Sequence, residues 1–251
     1  MPWVESTTRS FRARHDSDAR DDAARVLHYL EVAREQLAAY FPGETGELTV
    51  VMHRSAASLY LARPVVPVAW IATAPAARRY LAGWASAREL HMLAPSALEQ
   101  RASSVPGSRE MLSRTAVALY ARRLIAESNG DLPHRASPAR VRAELRWAWL
   151  LEGAARWFSG QTEYARPAIA RRLREGGEPR FPPGVRDALL LGGTVIDLIA
   201  RERGDTAAAR FACRLDPRGP RMALAEAFDG RPLRTTEAAW RTHLRMLAAA
   251  G

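Results

Sequence analysis

The chain has 251 residues, 47% of them hydrophobic and 25% charged, which suits one large folded domain or two small ones. A formal charge of +10 raises an anionic partner as a class. However, all 37 basic residues are arginine, as in proteins from GC-rich genomes, and they are scattered along the chain. The single cysteine, Cys213, excludes an intrachain disulfide and a thiolate metal cluster; it reads as a small buried hydrophobe on a helix.

In chain order, "MPWVESTTRSF" lacks the apolar segment of a signal peptide, so a soluble cytoplasmic protein is expected. "SFRARHD" at 10–16 alternates Phe11 and Ala13 with Arg12 and Arg14 and predicts a strand. Helical spacing runs through 18–41, with aspartates at its start and Pro42-Gly43 as its stop. "ELTVVMH" at 47–53 reads as a buried strand and "SAASLYLA" at 55–62 as a short helix. The longest uncharged run, 64–77, holds three prolines and is too short to span a bilayer. Segments 79–86 and 89–95 read as two strands joined by a tight turn.

From about residue 108 the pattern is helix after helix. The first, 108–128, carries Ser108 as a cap. The next, 137–160, has Ser137 as N-cap, Pro138 in its first turn and Gly160 at its end. Further helices are predicted at 163–175, 184–203, 205–214, 219–228 and 234–249. The fold class is therefore α+β. A small, mostly antiparallel sheet with helices occupies 1–107, and a helical lobe occupies 108–251. The short "PGSRE" link at 106–110 argues for one continuous unit.

Charge patterning disfavours nucleic acid as the partner. The densest basic stretch, Arg166 to Arg180, holds five arginines but is interrupted by Glu175 and Glu178, and "HDSDARDD" at 15–22 is acidic. A nucleic-acid site needs a concentrated basic face, often with stacking aromatics.

The most specific stretch is "WLLEGAARWF" at 149–158, with a lone acid, Glu152, in an apolar helix. Segments 195–215 and 223–244 follow in an order that, with "FRARHD" and "LTVVMH", resembles the gluzincin-type zinc metallopeptidases of the bacterial peptidase MA-like group. The resemblance implies a zincin-like fold in which Glu152 takes the third zinc-ligand position. It also places Gly153 and Ala155 where helices meet. Such enzymes carry H-E-x-x-H on a preceding helix, two histidines for zinc and a glutamate as general base. The best register here is "ALYAR" at 118–122, which sets Ala118 and Arg122 at the histidine positions and Leu119 at the base. No two of the six histidines are four residues apart. The tyrosine such enzymes supply from a later helix would fall near Leu189 or Leu190. The resemblance thus implies a catalytically inactive member without zinc or another cofactor, retained as a module that binds a peptide or protein.

Several readings stay open on the residues alone. Glu152 can pair with Arg156 one turn later, with Arg122 or Arg123 across two helices, or keep a ligand role. His91 and Trp149 are candidates to line a cleft, although a hydrogen-bonded strand histidine and a core tryptophan are the plainer readings. Ser104 and Ser108 lack a nucleophile context, and no phosphate-binding loop is present. Two alternatives remain: an active hydrolase, for instance using His91 with Glu152, and a basic nucleic-acid or anionic-partner binder.

Overall fold

The computed structural model describes residues 3–41, 46–133 and 137–250. The chain opens with a hairpin, β1 (Trp3–Thr7) and β2 (Phe11–Asp16), and passes through a 3-10 turn into helix α1 (Arg20–Leu37). Strand β3 (Leu48–His53) follows, then three short helices, α2 (Ala56–Ala62), α3 (Val65–Ala72) and α4 (Pro75–Arg78). A second hairpin, β4 (Gly83–Ala85) and β5 (Glu89–Leu93), leads to α5 (Pro95–Arg101). The Pro42-Gly43 stop expected after α1 lies outside the described residues, as does His134.

The rest is helical: α6 (Ser108–Ser113), α7 (Thr115–Ser128), α8 (Pro138–Arg146), α9 (Ala148–Phe158), α10 (Gln161–Tyr164), α11 (Arg166–Arg174), α12 (Val185–Arg203), α13 (Asp205–Ala212), α14 (Pro220–Ala227) and α15 (Leu233–Ala249). No helix among the described residues is long and apolar enough to cross a membrane.

The α+β class holds, but the sheet is mixed rather than mostly antiparallel. Its order is β1-β2-β3-β5-β4. The two outer pairs are antiparallel and the two inner pairs parallel. The cause is connectivity. Helices carry the chain from β2 to β3 and from β3 towards β5, and such crossovers return a strand in the same direction.

Alternation sorts the sheet into two faces. Phe11, Ala13, Leu48, Val50, Met52, Leu90 and Met92 point inward and are buried; α1 and α7 lie beneath them, with Phe11 edge-on to Tyr120 at 5.2 Å. Arg14, Val51, His91 and Trp84 stand in one cross-strand row on the outer face.

Three predicted helices are each interrupted. Segment 108–128 breaks at Arg114, and Ser108 lies inside α6 while Gly107, at φ 78°, takes the cap position. Segment 163–175 becomes α10 and α11, where Pro167 at the start of α11 forces a new helix. Segment 137–160 keeps Ser137 as the N-cap, accepting from the Arg140 amide at 3.1 Å, but breaks at Trp147. Residues two apart do not share a helix face; the break lets Trp147 and Trp149 both turn inward, their rings 6.4 Å apart. Cys213 is only partly buried and terminates α13 instead of lying inside it.

One buried core runs from Phe11 to Leu247, across both lobes. Its tightest helix crossing is α9 on α12. A Cβ on Gly153 would meet the Gly192 backbone at 2.2 Å, and one on Gly192 would meet the Trp149 carbonyl oxygen at 2.2 Å. Only glycine permits that approach.

Candidate functional site

Glu152 sits on α9 facing α7. Its Oε1 accepts from Arg122 Nε at 3.0 Å, and its Oε2 lies 3.8 Å from the Arg156 guanidinium. Both pairings left open by the sequence are therefore made, and the interhelical one is the direct hydrogen bond. Arg123 instead donates to the Ala87 carbonyl at 2.7 Å and pairs with Glu127.

The pair is part of a chain of charges. Arg140 donates to Glu144 at 3.0 Å, and Glu144 lies 3.8 Å from Arg122. At the other end, Arg156 donates to Gln161 at 2.5 Å, and the Gln161 amide donates to the Met111 carbonyl. Arg156 is buried, and that burial pushes its pKa down against the opposing pull of Glu152. A guanidinium keeps its charge when buried and needs a nearby anion to offset its lost solvation, so Glu152 stabilises Arg156 and Arg122 together.

The zinc carried by the enzymes that the sequence resembles does not fit these side chains. Ala118 and Arg122 lie one turn apart on one face of α7, but alanine has no donor atom and arginine is a cationic hydrogen-bond donor. Glu152 alone cannot complete a zinc site. Leu119 is buried, and its Cδ1 would lie 2.6 Å from a Cβ placed on Gly83. It fills space under the β4 edge. Among the described residues, no group of three or more His, Cys, Asp or Glu is arranged for a metal ion.

His91 and Glu152 are not brought together. His91 lies on the outer sheet face, where Nδ1 meets His53 Nε2 at 3.0 Å. Its Nε2 is shared between Arg63 at 2.6 Å and Glu89 at 3.0 Å. The two rings lie edge to edge in nearly the same plane, their centroids 5.3 Å apart and their planes 21° from parallel, with Trp3 edge-on to His53. One proton fits between the facing nitrogens, so one ring must accept. Burial, with His91 and Arg63 nearby, pushes His53 down to about 4. Burial also lowers His91, against the raising effect of Glu89. Trp149, the other cleft candidate, is 2% exposed and packs at 6.0 Å from Phe211, inside the core.

Sequence reasoning missed a second histidine–carboxylate pair. His243 Nε2 lies 2.7 Å from Asp197 Oδ2, and Trp157 donates to Oδ1 at 3.2 Å. Burial would raise the Asp197 pKa, but hydrogen bonds from His243 and Trp157, with Arg201, hold it below the ordinary value. The 46-residue separation of Asp197 and His243 hides this pair from any local pattern. The polar Asp197 within apolar α12 was the available signal.

Two surface hollows lie elsewhere. One of about 610 Å³ is lined by Asp18, Asp21, Asp22, Arg25, Arg54 and Gln100, among others. Another of about 520 Å³ lies where α12, α13 and α14 meet, with Phe211 and Arg210 in its wall. Neither includes Glu152, Arg122 or His91. Compared with known proteins, the chain matches no family model, no curated protein and no solved structure. Its geometry therefore carries the functional reading.

Proposed function

We propose that the chain is a catalytically inactive, zincin-like scaffold that serves as a binding or interaction module for a peptide or protein. One observation carries the proposal: the Arg122 guanidinium donates to Glu152 at 3.0 Å between α7 and α9. In the resemblance set out from the sequence, those two helices hold a dication between them. Here a side-chain cation serves as the counter-charge of the same carboxylate. The Gly153–Gly192 crossing also supports the scaffold half of the reading, because it puts small residues where the resemblance expects helices to meet. Nucleic-acid binding is less well supported, since Arg172 is buried against Asp187 and Arg171 pairs with Glu175 within the densest arginine stretch.

Elemental analysis of the purified chain tests the reading, together with a general peptidase assay. The expected result is zinc well below stoichiometric and no cleavage. Stoichiometric zinc that disappears in Glu152→Ala would overturn it. The double variant Ala118→His, Arg122→His tests the scaffold separately. With Glu152 it provides three protein ligands and is expected to take up about one equivalent of zinc. Failure of the folded variant to bind zinc would remove the zincin-like half.

A further inference from the structure

We propose that the outer corner formed by α2 and α3 is a docking surface for an anionic lipid membrane. Leu61, Val65, Val68 and Ile71 are 84%, 41%, 65% and 69% exposed. On α3 the exposed residues recur at i, i+3 and i+6, opposite buried Val66. Soluble proteins scatter exposed aliphatics singly; a cluster on one helix face marks an interaction surface.

The charge around this face selects the partner. No acidic residue occurs in the sequence between Glu47 and Glu89. Arg54 and Arg63 are paired with Asp16 and Glu89, and Glu175 reaches the Ala76 amide, so the cations beside the end of α3 are Arg78 and Arg79, which donate to backbone carbonyls. Arg78 caps the end of α3, donating to the carbonyls of Thr73 at 3.0 Å and Ile71 at 3.3 Å. Its guanidinium lies 4.4 Å over the Trp70 ring. The Ala74 amide donates to the Arg186 carbonyl at 2.9 Å, bringing exposed Arg186 and Val185 beside the same corner.

Apolar residues flanked by arginines and an interfacial tryptophan are what anionic headgroups over acyl chains accommodate. The exposed residues of the corner line neither hollow. Protein hot spots favour Trp, Tyr and Arg in pockets and use Leu and Val sparingly, so a lipid surface fits this aliphatic corner better than a protein partner. Helix α3, about 12 Å long at 1.5 Å per residue, would lie along the interface and cannot span it.

Flotation of the full chain with phosphatidylcholine vesicles, with and without phosphatidylglycerol, provides the test. The chain should float with the anionic vesicles, less so at high salt, and remain behind with neutral ones. Val68→Asp with Ile71→Asp should lower binding at least about tenfold, and Arg78→Gln about fivefold. Both aspartate positions are exposed, so the melting temperature should hold. Leu61→Asp, on α2, provides an independent variant should α3 be disturbed. Absence of binding, equal binding to both vesicles, or binding unaltered by the aspartates would overturn the proposal. A lipid-free dimer dispersed by the same aspartates would also overturn it, assigning the face to a second copy.

Discussion

Removing Glu152 should destabilise the protein more than removing Arg122. Glu152 is the anion for two guanidiniums, and their side chains are 15% (Arg122) and 6% (Arg156) exposed. Arg122 has a second carboxylate, Glu144, at 3.8 Å, whereas Arg156 is left with the neutral Gln161. Breaking a buried ion pair by deleting one partner costs about 3–5 kcal/mol, and exposed pairs contribute about 0.2–1 kcal/mol. The Glu152 side chain is 29% exposed, so Glu152→Ala belongs at the low end of the buried range, about 3 kcal/mol. Arg122→Ala leaves Glu152 beside Arg156 and in contact with water, at about 1–2 kcal/mol. The pairwise coupling in a double-mutant cycle should then be about 1–2 kcal/mol. Urea unfolding of wild type, both single variants and the double variant measures it, provided the denaturant slope stays constant. Glu152→Gln should reproduce most of the Glu152→Ala loss, because charge rather than shape is removed. Equal or greater loss in Arg122→Ala, or coupling below about 0.5 kcal/mol, would refute the claim that Glu152 holds two cations.

Gly192→Ala should destabilise by about 3 kcal/mol or more, measured by thermal melting, because its Cβ would meet the Trp149 carbonyl oxygen at 2.2 Å. Asp187→Ala should cost about 3–5 kcal/mol in urea unfolding; it strips the two-pronged partner from Arg172, whose side chain is 4% exposed. Acidification should weaken the fold through the outer-face histidines. The folded His53 value of about 4 lies below its ordinary 6.5, so its contribution is complete above pH 6.5 and is lost as pH falls towards 4. The slope is at most about 1.4 kcal/mol per pH unit, and His91, shifted the same way, adds to it. Melting temperatures of wild type and His53→Gln across that range check this, with a flatter profile expected for the variant.

Local patterns revealed the strands and most helices because each answers to a period the residues carry. Phe11 and Ala13 alternate with arginines, and Ser137 and Pro138 open α8 where a cap and a first-turn proline belong. Strand direction is not a local property. The hydrophobic run of β3 looks the same in either orientation, and the intervening helices decide that it lies parallel to β2 and β5. The site divides along the same line. Arg156, four residues after Glu152, follows from helical spacing. Arg122 is 30 residues away and became visible only by setting α7 in register with a family motif.

The remainder of the charge chain depended on a feature that period alone conceals. A continuous 137–160 helix would keep Trp147 and Trp149 on different faces; burying both requires the break at Trp147. That break separates α8 from α9 and leaves Glu144 on α8 within 3.8 Å of Arg122 on α7. Two core tryptophans therefore help to set the electrostatics around Glu152. Trp147→Ala should weaken the core and, by loosening Glu144 from Arg122, strengthen the Arg122–Glu152 coupling, and the double-mutant cycle repeated in that background would separate the two effects.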